Sequence, residues 1–234
     1  MSQESRLGVG VIGAGRVGPI MARALAAAGH QLVGITASSA DAERVAGILP
    51  GVTVLDALEV ARRSQLVVVA VPDDALAELV GGLAIAGAWQ PGQIVLHPSI
   101  RHGLSVLDPA KEQGVIPLAL HPLLEFTGTS MDLQRMNGSF AAITAPPVAL
   151  PIAEALALEM GLEPLVVSED QRGEIASAAA LATSFAQTTI REAAVRLSVA
   201  GIDNPGVVLG PLVGSSVDNA LREIAGNEVE RGAR

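Results

Sequence analysis

The chain alternates short apolar runs with longer stretches in which apolar residues recur at helical spacing. Val9, Val11 and Ile12 form the first run, and an Ala/Leu-rich helical pattern follows from Arg16 to about Ala28. Residues 31–36 read as a second strand, 40–49 as a helix and 52–54 as a short third strand. Asp56 is placed to cap a helical turn over 57–63. Residues 66–71 are the most apolar strand; it stops at Pro72, and Asp73 is placed to cap a helix over 75–85. A turn over 89–92 leads to strand 93–96, a helix over 103–113 and strand 115–120. Strand 139–144, helix 152–160 and edge strand 162–167 complete the alternation. Strands that alternate with helices in this way predict an α/β fold, a doubly wound and mostly parallel sheet over residues 1–168.

From Asp170 the pattern turns wholly helical and continues almost unbroken to Ala200, with a second helical stretch from Pro205 to about Ala225. Residues 169–234 therefore form an all-helical C-terminal domain. So long a helix is not buried by one small domain, which predicts a homodimer built on the C-terminal helices.

Composition narrows the function classes. Half of the 234 residues are hydrophobic, yet no apolar run approaches the roughly eighteen needed to span a membrane. Residues 1–6 carry no charged-then-apolar leader, so the expectation is a soluble protein of the cytoplasm. The chain has no cysteine, which excludes disulfides, thiolate nucleophiles and cysteine-held metals. A formal charge of -9 opposes a nucleic-acid backbone, and three Phe, one Trp and no Tyr leave few stacking platforms. Nucleic acid is excluded as a partner on these grounds, and a small molecule is expected as substrate.

The candidate chemistry starts at the end of the first strand. Gly13-Ala14-Gly15-Arg16-Val17-Gly18 has the Gly-x-Gly-x-x-Gly spacing of a dinucleotide loop, and it sits between a strand and a helix. Gly13 permits the tight turn, Gly15 lets the backbone approach a pyrophosphate, and Gly18 lets the helix pack on the strand. The second strand ends in Thr36-Ala37-Ser38-Ser39, with no carboxylate to repel a 2′-phosphate. Ser38 and Ser39 leave room there, Arg16 and Arg44 can supply positive charge, and the reading favours NADP over NAD. One of the two serines is also placed to cap the next helix. Val71, Pro72 and Asp73 lie at a strand's carboxyl end, where ligands lie in open α/β sheets. His121 follows a buried strand at the same edge and is the acid–base candidate; Ser99 can polarise the reacting group.

Three segments, Gly13–Gly18, Val69-Ala70-Val71-Pro72-Asp73 and Leu120-His121-Pro122-Leu123-x-x-Phe126, together resemble the uncharacterised Rossmann-like oxidoreductase family related to pyrroline-5-carboxylate reductase. Pro211-Leu212-Val213 and Asp218-Asn219-Ala220-Leu221 extend the resemblance into the C-terminal helices. The resemblance implies an NADP-binding domain, a helical domain that dimerises, and no assigned substrate. Members often carry Arg at the position of Ser38, and His and Asn where this chain has Ala176 and Ser184. Ser99, His121, Thr183 and Ser184 are then the hydrogen-bonding groups that remain. Members also continue past the position of Arg234, so the chain reads as a shortened form. The reading that follows is an oxidoreductase moving a hydride to a small carbonyl or imine compound. A non-catalytic dinucleotide sensor or partner subunit is the alternative, and a flavin or deazaflavin enzyme using the same crevice a third.

Overall fold

Apolar residues on both sides of a strand require cover on both sides, and that requirement organises residues up to Ala176. In β3 (Leu66–Val69) every residue is buried, with Leu66 and Val68 packed into one apolar cluster and Val67 and Val69 into the other. The computed structural model describes residues 6–232. Of the residues 1–6 on which the expectation about a leader rests, 1–5 lie outside the described residues.

The chain order is β1 (Gly8–Ile12), α1 (Gly18–Ala27), β2 (Gln31–Ile35), α2 (Ala42–Ile48), α3 (Ala57–Arg63), β3 and α4 (Asp73–Ile85). Then come β4 (Ile94–His97), a 3-10 turn (Leu104–Leu107), α5 (Asp108–Lys111), β5 (Ile116–Pro122), α6 (Met131–Met136) and β6 (Phe140–Thr144). α7 (Leu150–Glu159), β7 (Glu163–Val166), α8 (Glu169–Val199) and α9 (Pro205–Gly232) complete it. The seven strands form one sheet in the order β2-β1-β3-β4-β5-β6-β7. All neighbours are parallel except β5 and β6. α1, α2, α6 and α7 cover one face through Ile20, Val45, Met136 and Leu156; α3, α4 and α5 cover the other through Val60, Leu76 and Ala110. The doubly wound, mostly parallel sheet expected from the sequence is the observed one.

Differences are local and have physical causes. Residues 52–54 do not form a strand, and only Val54 bridges to Ile35. The helix expected over 103–113 is broken into the 3-10 turn and the four-residue α5. Pro109 lacks an N–H to donate and stands in the first turn of α5, where a helix can begin but through which one from Gly103 does not run. Neither Ser38 nor Ser39 caps α2, since Asp41 occupies the N-cap position. Asp73 makes no side-chain cap either; Pro72 holds that position and Asp73 is the first helical residue. Asp56 does cap α3, accepting from the Glu59 N–H at 2.8 Å.

The chain divides into two compact units between Ala176 and Ser177, within α8. In the second unit α9 continues as helix through Pro211. Phe185, Val195 and Val199 on α8 and Val207, Leu212 and Leu221 on α9 are exposed apolar side chains. Among the described residues no helix is long and apolar enough to cross a membrane.

Candidate functional site

The strand order reverses direction between β1 and β3, so the carboxyl ends of these two strands open the crevice in which ligands of doubly wound sheets lie. The glycine loop occupies that place. Gly13 has φ +114°, and a Cβ on it would lie 2.3 Å from the Ala70 carbonyl oxygen. A Cβ on Gly18 would lie 2.2 Å from the Gly13 oxygen, so both positions require glycine for close packing. At Gly15 an added Cβ meets nothing, and this side of the loop is open to a ligand. The N–H groups of Gly15, Arg16 and Val17 have no acceptor among the described residues, and they precede the N-terminus of α1. These donors and the open face at Gly15 fit a pyrophosphate.

The loop is held from β2 and α2. Thr36 Oγ1 accepts from the Gly13 N–H at 2.8 Å. The Arg44 guanidinium donates to Gly15 O at 2.9 Å, to Ala14 O and to the Asp41 carboxylate at 2.7 Å. Ser38 Oγ donates to the other Asp41 oxygen at 2.7 Å. The Ser38 hydrogen bond, together with Arg44, holds the Asp41 carboxyl below the usual carboxylate range. An open cleft of about 340 Å³ lies here, lined by Ala14, Thr36, Ser38, Asp41 and Asp56 among others. Residues 36–39 carry no carboxylate, as read from the sequence, but Asp41 and Asp56, at the starts of α2 and α3, line the same cleft. Arg44 is not a free cation but one already committed to Asp41 and the loop carbonyls. Ser39 is exposed, and among the described residues its hydroxyl has no hydrogen-bond partner.

A further turn over the loop was not legible in the sequence. The buried Asp132 carboxylate accepts from Thr127 N (2.9 Å), Thr127 Oγ1 (2.9 Å) and Gly128 N (2.7 Å). Burial would raise this carboxyl, but the donated hydrogen bonds outweigh it and hold it below its ordinary value. Asp132 thereby fixes Gly128 against Arg16, where an added Cβ would come within 3.0 Å of Arg16 Cγ.

Farther along the same edge, three of the four histidines join one polar network. Ser99 N–H donates to His97 Nδ1 at 3.3 Å, so the His97 Nε2–H donates to Gly103 O at 2.9 Å. His102 Nε2–H donates to Asp73 O at 3.1 Å. His121 Nδ1–H donates to Pro98 O at 2.6 Å, which leaves Nε2 as the lone-pair nitrogen. His121 lies within β5, opposite Ala142, rather than beyond the strand's end. Its ring is pushed below its ordinary value, first by burial and then by the charge of Arg172, against the Pro98 hydrogen bond and Asp73. Ser99 is buried, and its Oγ accepts from the N–H groups of Arg101 (3.2 Å) and His102 (3.1 Å); the hydroxyl shapes the loop. Val71, Pro72 and Asp73 follow the carboxyl end of β3, and Asp73 O is the atom that His102 meets.

The fourth histidine belongs to the opposite edge of the sheet. His30 Nδ1 accepts from Leu7 N–H at 3.2 Å, and its Nε2–H donates to Glu159 at 2.8 Å, which also binds Arg6. An apolar concavity of about 440 Å³ opens there, lined by Ile94, Ile152 and Leu156 beside these three. It lies at the amino ends of the strands, away from the glycine loop.

The comparisons with known proteins agree with this geometry. Residues 1–122 match the Rossmann-like domain. The chain belongs to the Rossmann-like family. Residues 139–228 match the domain of unknown function DUF2520, so the family resemblance read from the sequence is borne out. No curated protein matches the sequence. A Bacteroides fragilis protein, BF3122, assigned provisionally as an NADP oxidoreductase, is 21% identical with a TM-score of 0.76, over 92% of this chain and 80% of its own. An imine reductase from a Pseudomonas species is 17% identical with a TM-score of 0.70, over 94% and 77%. A pyrroline-5-carboxylate reductase from Coxiella burnetii is 15% identical with a TM-score of 0.67, over 93% and 81%. At these identities the likeness is one of fold.

Burial of His97 has a measurable consequence. Burial pushes this ring down from 6.5 to about 4, with Arg172 acting in the same direction. The unfolded chain therefore takes up the proton first. Stability from the neutral ring is fully present above pH 6.5 and is lost as pH falls towards 4, a contribution on the order of 3 kcal/mol. Urea unfolding at pH 7 and pH 5 will show a steep loss in the wild-type protein. His97→Gln is expected to be less stable at pH 7 and to show a shallower loss; an equal slope removes His97 from the acid response.

Proposed function

We propose that this chain is a nicotinamide-dependent oxidoreductase of the cytoplasm that moves a hydride between NADP(H) and the carbon of a small carbonyl or imine compound. The observation that carries the reading is the glycine loop, with its unclaimed N–H groups, on the same sheet edge as a histidine whose tautomer is fixed by Pro98 O. When bound, the nicotinamide supplies or takes up the hydride. Gly13, Ala14, Gly15, Arg16, Val17 and Gly18 hold the pyrophosphate. Ser38 and Ser39 flank the adenosine ribose, and Val71, Pro72 and Asp73 border the middle of the cofactor. His121 Nε2 exchanges the proton with the oxygen or nitrogen of the substrate. Ser99 supports that exchange by shaping the loop that holds His121.

The cofactor is tested first by titrating the full chain with NADPH and with NADH and following the fluorescence of the reduced nicotinamide. Gly15→Val is expected to keep the thermal midpoint, because its Cβ meets nothing, and to weaken binding about tenfold or more. Asp41→Asn releases Arg44 for a 2′-phosphate, so the NADPH-to-NADH affinity ratio should rise. Binding of neither nucleotide overturns the oxidoreductase reading.

Catalysis is tested with a panel of ketones, imines and hydroxy acids. His121→Ala should lower turnover about a hundredfold with cofactor affinity nearly unchanged. Because His121 is held below its ordinary value, its protonated fraction is small at neutral pH. Reduction of a carbonyl should therefore speed up as pH falls, and the reverse oxidation should slow. Cofactor binding without turnover of any substrate supports the sensor reading instead, which the Ala176 and Ser184 positions favour.

The exposed apolar side chains of α8 and α9 support a homodimer through these helices. Sedimentation equilibrium should give about twice the 23.8 kDa chain mass, and Leu212→Glu combined with Leu221→Glu should return the monomer.

A further inference from the structure

Arg172 lies in the first turns of α8 and is 2% exposed, the largest polar side chain buried so fully. Among the described residues it has no carboxylate within ion-pair distance. Its guanidinium instead grips oxygens: Nε donates to His102 O at 2.8 Å, Nη2 to Ser99 O at 2.7 Å and Nη1 to Thr144 Oγ1 at 2.8 Å. Thr144 Oγ1 in turn donates to Val167 O at 2.9 Å. Two carbonyls of the loop after β4 are thus held by Arg172, and those of Gly103 and Pro98 by His97 and His121. Glu169, one turn earlier on α8, accepts the Leu104 N–H at 2.7 Å and closes the loop from its far side. Glu169 acts on this cation by charge without an ion-pair contact, and the groups that touch the guanidinium are backbone oxygens and a hydroxyl.

We propose that Arg172 is a positioning residue for proton transfer: it fixes the 98–103 loop so that Pro98 O holds His121 Nδ1–H and Nε2 is the nitrogen that exchanges the proton. The proposal rests on the role given to His121 above. The charge of Arg172 opposes a second positive charge on His121. In the oxidative direction the C–H of an alcohol or amine leaves as hydride to the oxidised nicotinamide, its O–H or N–H proton goes to Nε2 and a C=O or C=N bond forms; reduction is the reverse. Among the charged groups, Asp73 opposes Arg172 at His121, Glu169 acts on Arg172, and His97 and His102 are bonded to the same stretch of chain.

The test uses histidine side-chain NMR on the cofactor-free full chain, in which four histidines give a readable spectrum and His121→Gln assigns the resonance. In the wild-type protein His121 should show the Nδ1–H tautomer; an Nε2–H tautomer overturns the proposal without any Arg172 variant. In Arg172→Gln the His121 titration should move up and the tautomer preference should be lost. Arg172→Lys, which keeps the charge but not the three-way grip, should lose the tautomer preference with a smaller titration shift. Should Arg172→Gln fail to fold, Thr144→Val removes one partner and should shift the tautomer in the same sense. Unchanged His121 spectra in the folded variants overturn the proposal. With a substrate in hand, Arg172→Gln should lower kcat about tenfold at unchanged cofactor Kd. His121 shifts with no turnover in the wild-type protein count against the oxidoreductase reading and still support the positioning role.

Discussion

The absence of side chains at two glycines sets how closely the turn after β1 meets the end of β3. Gly13 and Ala70 approach so closely that a methyl group would overlap a carbonyl, and Gly18 repeats the contact against Gly13 itself. With those contacts made, the ladder between β1 and β3 runs from Val9–Leu66 to Ile12–Val69, and Ala70 N–H still reaches Ile12 O at 2.7 Å. The chain can then turn directly into α1 with several N–H groups pointing outward rather than into the sheet. A single β-carbon at Gly13 would force the strand ends apart, and the adjoining rim would lose its register.

That rim is polar where a purely structural edge would be apolar. Buried His97, Arg172 and Asp132 all have their hydrogen bonds met. Satisfied polar groups of this kind contribute little net stability, and apolar side chains of similar volume often hold a fold as well or better. What hydrogen bonds add is direction, since each fixes a particular atom at a particular distance. Along this edge the fixed atoms are carbonyl oxygens: those of Ala14 and Gly15 by Arg44, of Ser99 and His102 by Arg172, and of Pro98 by His121. The backbone around the crevice is therefore set by side chains, and of these only His121 is proposed to meet the substrate as well.

Strand and helix order was legible because burial writes it into the sequence. β3, with four buried residues in a row, and the glycine turn after β1 could be placed to within two residues. The failures fall where a local cue served another end. Val52-Thr53-Val54 has strand-like residues but reaches only one bridge to Ile35. Ser38 has the chemistry of a cap, yet its hydroxyl goes to Asp41, because α2 begins two residues later than the pattern suggests. At the site, His121 was visible through its type and its strand. Arg172 was not, since in sequence it is one charged residue at the start of a long, largely exposed helix. Only the fold shows that its neighbours are Ser99, His102 and Thr144, between 28 and 73 residues away. Asp41 was hidden for the opposite reason, since an acid beside an Arg on a surface helix reads as solvated, and the cleft beside Thr36 is formed by the turn before it.

The position of His121 inside β5 matters more than its position at the sheet edge. Its backbone is tied into the ladder opposite Ala142, and Pro122 opposite Ala141 carries the pairing one residue further. The ring therefore has only its two side-chain torsions to set, and Pro98 O constrains them from one side. Whether Nε2 gives or takes a proton then depends on the charge around a ring that cannot move far. Asp73 pulls one way, while burial and Arg172 pull the other and win. Arg172 stands on α8, and α8 runs unbroken past Ala176 into the second unit. The same helix thus supplies the charge behind the proton-transfer candidate and the start of the second unit.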